Sequence, residues 1–411
     1  MGRGTMRHAF RETADFHRLL RRLPREDRRL VFYAEHEGYY AYFEGIIDEI
    51  TRRYDRRFVY ITSDPDDPIL SAHHPAIIPL YIDRLLPFAM SALNCDVCVM
   101  TMTDLNRYHV RRSVHPVHYV YVFHSLISTH MGYLAGAFDH YDTILCAGPH
   151  HVTEIRRREE MAGLRPKRLV EAGYYRLERI HRAAKERRAS RPPVSASASP
   201  LVLVAPSWGP HNVLDECGEA LVAMLLDGGY RVIVRPHPET VKRQPDDVDA
   251  LARRFGSHPS FLLERSVATD DSLVDADVMI SDISGVALEY GLGTERPVIF
   301  LDVPFRKIRN EGYGELGIEP IELALRREIG VVVPPDDLRQ VRAAIDDLIS
   351  RQGEVRPALA RLRHRAVFAF GRSSAVGADH IMELLEPRTS GSGNAVAQSG
   401  ADAFPSAAEW P

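Results

Sequence analysis

Short apolar runs alternate with helix-like segments along most of this chain, and this alternation constrains the fold more than any other feature. Residues 77–92 carry apolar side chains at helical spacing and are predicted to form a helix. Strands alternating with helices predict parallel sheets covered by helices. The apolar runs of strand length, bounded by turn residues, are 31–35, 58–62, 97–102, 119–123, 143–146, 201–205, 231–235, 261–263, 278–280, 298–301 and 331–333.

The apolar runs fall into two series, which predicts two α/β domains. Between them, residues 181–200 are basic and Ala-rich and end in a Pro/Ser/Ala segment that is typical of a linker. A chain of 411 residues is long enough for two such domains. The predicted division is a basic N-terminal segment 1–30, an N-terminal domain 31–187, a linker 188–200, a C-terminal domain 201–370, a C-terminal helix 371–386 and a disordered tail 387–411.

The net charge, the cysteine count and the length of the apolar runs limit the classes of partner and the cellular compartment that are expected. A formal net charge of −4 argues against a nucleic-acid partner. Four cysteines are too few for a disulfide framework at this length, so a reducing cytoplasm is expected. Cys95 and Cys98 have CxxC spacing but no second pair, so neither zinc nor redox chemistry is expected there. No apolar run approaches the roughly 20 residues of a membrane span, and no signal peptide is expected.

The N-terminal segment is rich in arginine. Residues 6–23 intersperse Phe10, Leu19 and Leu20 among basic side chains, which predicts a basic amphipathic helix. Such a helix either lies on an anionic membrane surface or is solvated and supported by Arg–Glu pairs, which is the commoner case. The expected location is therefore the cytoplasm, with a peripheral position at the inner face of the cell membrane as the alternative.

One stretch, residues 277–302, combines a buried strand, a turn of small residues, a helix and a second strand. A hydroxyl and a glycine at the start of a helix favour an anion, because unpaired backbone N–H groups and the helix dipole both point at it. Glu289 lies within the predicted helix and is a candidate acceptor for ribose hydroxyls. The alternative is an ordinary βαβ unit with a serine N-cap. The candidate phosphate-loop residues are Ser281, Asp282, Ser284 and Gly285.

Arg235 and His237 follow another strand of the second series directly. Two prolines fix the backbone around His237, so the ring is displayed at the carboxyl end of the strand with little freedom. Arginine is a fixed-charge phosphate ligand and histidine titrates near neutral pH. Ser207, at the end of the preceding strand, is a further candidate ligand, and Trp208 is equally well explained as a ligand contact or as packing.

Histidines are dense in the first series, with seven between residues 115 and 151. Their spacing is irregular and carboxylates do not interleave at ligand spacing, so no metal site is predicted. His124 ends a strand and is the candidate general base, with His130 as its rival.

These pieces, taken in order, resemble the CDP-glycerol glycerophosphotransferase family. The matching elements are His124 after a strand, Pro-Ser-Trp at 206–208, Arg-Pro-His-Pro at 235–238, Ser-Asp-Ile-Ser-Gly at 281–285, Pro-Val-Ile-Phe at 297–300, Gly-Tyr-Tyr-Arg-Leu-Glu at 173–178 and Gly-Arg-Ser-Ser at 371–374. The resemblance covers roughly residues 115–385 and implies a GT-B fold, in which two Rossmann-like domains face a central cleft.

The resemblance also implies an activity. The family moves an alditol phosphate, usually glycerol phosphate, from a CDP donor to a hydroxyl of a glycan or lipid-linked acceptor. It implies His124 as base, Arg235 and His237 at the donor phosphates, residues 281–285 at the diphosphate and Glu289 at the ribose. No cofactor is expected, because the nucleotide donor is a substrate.

The chain departs from the family pattern at three of these positions. His124 is followed by Ser125 where the family has glycine, Ser284 is followed by Gly285 where it has a second serine, and Glu289 stands where it often has aspartate. These features also resemble nucleotide-sugar enzymes of the same fold, including UDP-sugar 2-epimerases. Two alternatives therefore accompany the transferase hypothesis, a nucleotide-sugar glycosyltransferase or epimerase and a non-catalytic scaffold.

Overall fold

Two parallel β-sheets, one in each half of the chain, organise the protein. The computed structural model describes residues 3–190, 199–267, 269–304 and 314–386. Most of the predicted linker and the whole predicted tail, residues 191–198 and 387–411, lie outside the described residues. The two sheets confirm the predicted α/β class with two Rossmann-like domains.

The first sheet has seven strands in the order β3-β2-β1-β4-β5-β6-β7. Its inner strands are apolar on both faces because helices cover both sides of a parallel sheet. The strands are β1 Leu30–Ala34, β2 Phe58–Thr62, β3 Ile77–Tyr81, β4 Val97–Met100, β5 His118–Val122, β6 Thr143–Cys146 and β7 Arg168–Glu171.

The helix predicted at residues 77–92 is wrong in its first half, which forms the edge strand β3. Pro79 lies within β3 and pairs in register with Tyr60 of β2. An edge strand tolerates proline because its outer N–H groups have no ladder partner to lose. Only the second half is helical, and there the short helix α3 covers Leu86–Ser91.

The second sheet has six strands in the order β10-β9-β8-β11-β12-β13. Every pair of neighbours in it is parallel. The strands are β8 Leu201–Val204, β9 Arg231–Val234, β10 Phe261–Leu263, β11 Val278–Ser281, β12 Val298–Leu301 and β13 Gly330–Val333.

Helices lie between most of the strands and cover the sheets. The remaining α-helices are α1 Arg3–His17, α2 Tyr40–Arg53, α4 Pro149–Ala162, α5 Tyr175–Ser190, α6 Val213–Asp227, α7 Pro238–Arg243, α8 Pro245–Phe255, α9 Asp271–Asp275, α10 Gly285–Thr294, α11 Ile321–Ala324, α12 Arg326–Ile329, α13 Leu338–Ser350, α14 Gln352–Ala366 and α15 Ser373–Leu385. Single turns of π-helix (Arg18–Arg22) and 3₁₀-helix (Glu26–Arg28, Glu37–Tyr39 and Pro68–Leu70) supplement them.

Two helices each pack against the half of the molecule opposite to the one that precedes them in the chain. Although α5 follows the last strand of the first sheet, its Leu177 and Ile180 pack in the core of the second half with Leu203 and Leu292. Helix α15 crosses back and packs Ala378 and other side chains into the core of the first half. The chain therefore crosses between the domains twice, and α5 extends to Ser190, beyond the start of the predicted linker.

Helix α1 packs its acidic side chains against the first domain. Glu12 is buried and accepts hydrogen bonds from the backbone N–H groups of Asp83 (2.8 Å) and Leu85 (2.7 Å). Asp15 accepts from the N–H of Tyr81 at 3.0 Å, and Leu19 lies in the core. The segment is helical as predicted, but part of its apolar surface is used for packing within the protein.

Candidate functional site

The loop after β5 meets the start of α10, so the structure brings the His124 segment to the predicted phosphate loop. A Cβ placed on Gly285 would lie 2.7 Å from Ile127 Cγ2 and 2.8 Å from Ser125 Oγ. Such distances are shorter than van der Waals contact, so only glycine at position 285 permits this approach without a shift. The carboxyl ends of parallel strands from both domains therefore converge here, where ligands of open α/β sheets bind.

His124 is surrounded by tyrosine rings. The ring centroids of Tyr39, Tyr42 and Tyr133 lie 5.5, 6.0 and 5.8 Å from that of His124. The hydroxyl of Tyr121 is 3.4 Å from His124 Nδ1. If Nδ1–H donates to Tyr121 Oη, the lone pair that a general base needs is on Nε2. Burial raises the pKa of Tyr121 well above its usual range, so the phenol stays neutral beside the imidazole.

Two of the neighbouring histidines have structural roles. His150 Nε2 lies 2.9 Å from the carbonyl oxygen of Leu126, and His151 Nε2 lies 3.0 Å from that of Ile127. Burial lowers the pKa of both imidazoles, so each is neutral and donates to a carbonyl of the His124 loop. Structural roles are thus seen for His150 and His151, and the expectation of a single catalytic histidine in the cluster stays a prediction.

His130, the rival candidate base, is buried between the domains. Its Nε2 lies 2.9 Å from the carbonyl oxygen of Ile318, and its Nδ1 lies 3.6 Å from Glu154 Oε2. Burial acts to lower the pKa of His130, but the hydrogen bond and charge of Glu154 outweigh it and raise that pKa. Glu154 also accepts from Thr129 N (2.6 Å) and Thr129 Oγ1 (2.7 Å), so this pair fixes the far end of the loop.

A second-domain carboxyl holds the middle of the same loop. Glu322 Oε1 accepts from the backbone N–H of Ser128 at 3.0 Å, and Ser128 Oγ accepts from the N–H of Ile321 at 2.8 Å. This reciprocal pair joins α11 to the loop that carries His124. No local pattern indicates this contact, because a glutamate two residues after Pro320 is an ordinary first-turn residue of a helix.

Ser281 and Asp282 hold the backbone of the neighbouring loop. Ser281 Oγ donates to the carbonyl oxygen of Ala205 at 2.6 Å. Asp282 Oδ1 accepts from the N–H of Ser207 at 2.7 Å, and its Oδ2 accepts from that of Val213 at 3.2 Å. Burial raises the pKa of Asp282, and these hydrogen bonds oppose the rise. Both residues are thus buried beneath the loop that contains Ser207, while Ser284 N-caps α10 without a side-chain cap bond.

Arg235 is buried at the carboxyl end of β9 and bonds to the protein. Its guanidinium donates to Ser272 Oγ at 2.7 Å and to the carbonyl oxygens of Thr269 (3.0 Å) and Val267 (3.2 Å). Glu264 lies 3.7 Å from Nη1. A phosphate would have to share the guanidinium with these partners, so the phosphate role of Arg235 stays a prediction.

His237 caps a helix and stacks on Trp208. Its Nδ1 accepts from the N–H of Glu239 at 3.1 Å, which puts the proton of the neutral ring on Nε2. The rings of Trp208 and His237 are 6.1 Å apart and inclined by 30°, and the guanidinium of Arg243 lies 5.3 Å from the Trp208 ring centroid. Trp208 therefore packs against the candidate histidine.

Glu289 is bound by residues of the first half of the chain. Its Oε1 accepts from the hydroxyl of Tyr174 at 2.7 Å and its Oε2 accepts from Arg176 Nε at 3.1 Å. Arg176 also donates to Asp270 Oδ1 at 2.8 Å. Glu289 is buried with only 6% of its surface exposed, so its role at a ribose stays a prediction.

Sequence reasoning missed Arg176 and the tyrosines around His124 as candidate site residues. Tyr39 and Tyr42 are three residues apart, a spacing that places two side chains on one helix face, although Tyr39 ends the 3₁₀ turn before α2. That spacing was a usable signal. Arg176 lies in the segment 173–178 that matches the family pattern, so it too could have been selected.

Among the described residues, no group of histidine, cysteine, aspartate and glutamate side chains could hold a metal ion. Within the same residues, no helix is long and apolar enough to cross a membrane.

Comparison with known proteins places the chain by fold. No family model matches the sequence, and no curated protein matches it. The wall teichoic acid polymerase TagF is similar in structure, with a TM-score of 0.59 at 17% identity over 93% of this chain and 97% of that chain. The Methanocaldococcus jannaschii UDP-GlcNAc 2-epimerase in complex with UDP-GlcNAc and UDP has a TM-score of 0.53 at 13% identity over 86% and 99%. These similarities confirm the two-domain GT-B fold and, at such identities, show the fold alone.

Proposed function

We propose that the protein is a transferase that moves glycerol phosphate, or a related alditol phosphate, from a CDP donor to an acceptor hydroxyl and releases CMP. The acceptor would be a cell-surface glycan or a lipid-linked precursor. One observation carries the proposal: the loop of His124 from one domain contacts the start of α10 from the other. This contact supports the proposal, because the segment of the candidate base adjoins the segment of the candidate diphosphate site.

In the proposed reaction His124 accepts the proton of the acceptor hydroxyl as that oxygen attacks the β-phosphorus of the donor. The bond from the β-phosphorus to the bridging oxygen breaks, and CMP leaves with that oxygen. Backbone N–H groups at Ser284 and Gly285 stabilise the charge on the diphosphate, together with His237 and Arg235. Ser207, which precedes the Trp208 that stacks on His237, contacts the same ligand, and Glu289 accepts from the ribose.

A nucleotide screen followed by an activity assay tests this proposal. CDP and CMP should raise the Tm of the protein, because a ligand that binds only the folded state stabilises it, by about 2.7 kcal/mol at 100 times Kd. Incubation with CDP-glycerol and a glycan acceptor should then release CMP. His237→Ala should lower kcat by about 100-fold if the ring acts in the transition state. Absence of CMP release with every CDP-alditol would refute the transferase.

A nucleotide-sugar glycosyltransferase or epimerase is the second candidate. Its support is the fold that the chain shares with the UDP-GlcNAc 2-epimerase, together with Gly285 and Glu289, at which the chain departs from the glycerophosphotransferase pattern. UDP or GDP would then stabilise the protein in place of CDP. A non-catalytic scaffold, the third hypothesis, predicts no shift with any nucleotide.

We also propose that the protein works in the cytoplasm at the inner face of the membrane, where a lipid-linked acceptor would be found. The support is the charge distribution of α1. Its carboxylates Glu12 and Asp15 bond to the protein, whereas Arg7 of α1 and Arg18, which follows the helix, are exposed.

A further inference from the structure

Ser125 lies where the two domains meet, between the candidate base and the candidate phosphate loop. It follows His124 directly in the sequence, and its Oγ would be only 2.8 Å from a Cβ placed on Gly285. Because glycine has no side chain, the Ser125 hydroxyl can lie close to the backbone at position 285. Among the residues that the structure describes, apart from the chain neighbours of Gly285, no other hydroxyl lies this close to a Cβ at position 285.

The Ser125 hydroxyl is oriented by its own loop. Its Oγ accepts a hydrogen bond from the backbone N–H of Ile127 at 3.3 Å. A hydroxyl that accepts through its oxygen still has its hydrogen to donate. The N–H of Ala287, in the first turn of α10, already donates to the carbonyl oxygen of Ser284 at 3.1 Å. The two N–H groups before it, on Gly285 and Val286, have no partner within the helix, and the Ser284 side chain makes no cap bond to them. An anion at this point would meet N–H donors from one domain and an O–H donor from the other.

We propose that Ser125 Oγ donates a hydrogen bond to the β-phosphate of a nucleotide diphosphate bound at the start of α10, and that position 285 is glycine to admit this hydroxyl. The inference rests on the proposed nucleotide-binding function. It makes Ser125 a binding residue that recognises a diphosphate, because a nucleoside monophosphate has no β-phosphate to accept the bond.

Calorimetric titration of the full chain with CDP and with CMP tests this role. Ser125→Ala removes one oxygen and keeps Cβ, so the fold should be retained. It should weaken CDP binding by about 10-fold or more, as expected for a lost hydrogen bond to a charged group, and leave CMP binding unchanged. Equal CDP affinities of the variant and the wild type would overturn the proposal. Tighter binding by the variant would also overturn it, since the hydroxyl would then be occupying the place of the anion.

Variants at position 285 test the spatial argument. Gly285→Ala should weaken CDP binding, because its methyl group enters the space of Ser125 Oγ and Ile127 Cγ2. In the double variant Ser125→Ala/Gly285→Ala the clash with the Ser125 hydroxyl is gone, so its loss of affinity should be smaller than the sum of the losses of the two single variants. Additive losses would contradict the shared space. A wild-type protein that binds no nucleotide of any base would instead refute the proposed function itself and this inference with it.

Discussion

At the residue scale, Glu322 lies outside the predicted site but bonds to the loop that carries His124. Only 2% of its surface is exposed, and its Oε2 lacks a hydrogen-bond partner among the described residues. Burial, with a contribution from Glu154, raises the pKa of Glu322 to about 7. Because its Oε1 accepts from Ser128, the protonation state of Glu322 acts on the loop that carries His124.

This raised pKa predicts a specific dependence of stability on pH. Between the unfolded-state pKa near 4.5 and the folded-state pKa of about 7, the folded protein holds a proton that the unfolded chain has released. Stability therefore falls as pH rises through this window, by about 3 kcal/mol in total for this group. Glu322→Gln cannot ionise, so its stability relative to the wild type should increase from pH 4.5 to 7 and then level off.

Unfolding by urea at a series of pH values measures this difference. The matched control is Glu319→Gln, an exposed glutamate three residues away, which should follow the wild-type curve. Because other buried groups titrate in the same range, the informative quantity is the difference between variant and wild type. A constant difference across the window would show that Glu322 does not carry the raised pKa.

At the scale of elements, buried strands could be located from the sequence more reliably than exposed ones. The inner strand β12 is apolar throughout and β5 is buried after its first residue, His118, so both were located within a residue or two. The edge strand β7 was missed because its ends, Arg168 and Glu171, are charged and exposed. The end of helix α5 was assigned to a linker, because the second half of the helix is basic and Ala-rich like a solvated segment. The helix is part of the core through its contacts with the second domain, which the local sequence does not show.

In the candidate site, too, local sequence patterns located some features and not others. The strand ends that carry His124, Arg235 and Ser281 could be read from local patterns, because each follows an apolar run directly. Their bonding partners could not. Glu289 bonds to Tyr174, which is 115 residues away in the sequence, and no local pattern specifies such a pairing.

The junction of α2 with α5 and α15 gives a prediction at this scale. A Cβ on Gly45 would lie 2.1 Å from Ser374 Oγ and 2.4 Å from Tyr175 Cδ2. Gly45→Ala should therefore overpack the junction, which typically costs about 1–3 kcal/mol and outweighs the gain of about 1 kcal/mol in helix propensity. The Tm should fall by a few degrees. Gly353 lies in the exposed start of α14, where a Cβ would have no described atom within 4 Å beyond its chain neighbours and the backbone of its own helix. Gly353→Ala should leave the Tm unchanged or slightly raised.

Thermal melting of the two variants side by side separates packing from helix propensity. Both replace a helical glycine by alanine, so propensity favours both substitutions. Equal shifts in Tm would mean that the helices move apart at no cost, and the close approach at Gly45 would then have no role in joining the domains.

At the scale of the whole molecule, charge and apolar surface are unevenly distributed over the first domain. Met6 and Phe10 of α1 are 51% and 77% exposed. They lie among the exposed arginines of the helix, while Glu12 is buried. Exposed aromatic and basic side chains on one helix are what an anionic bilayer attracts. A surface of this kind would keep the proposed active site close to a lipid-linked acceptor.

The membrane interaction is testable without disturbing the fold. Deleting the N-terminal segment would remove Leu19 from the core, so substitution of the exposed residues is the cleaner experiment. Met6→Ser/Phe10→Ser should weaken co-sedimentation with vesicles that contain anionic lipid, because the two side chains no longer enter the interface. The wild-type protein should bind less to the same vesicles at higher salt, since its arginines supply the attraction.

Leu262→Ser provides the matched control, because Leu262 is 55% exposed on β10 of the other domain. It should leave vesicle binding at the wild-type level. If the Met6/Phe10 variant also binds like the wild type, α1 is a solvated helix whose arginines serve other contacts. If both variants lose vesicle binding equally, the protein binds vesicles through its general surface hydrophobicity and not through one defined surface. Only selective loss in the α1 variant places the first domain, and the cleft that it shares with the second, against the membrane.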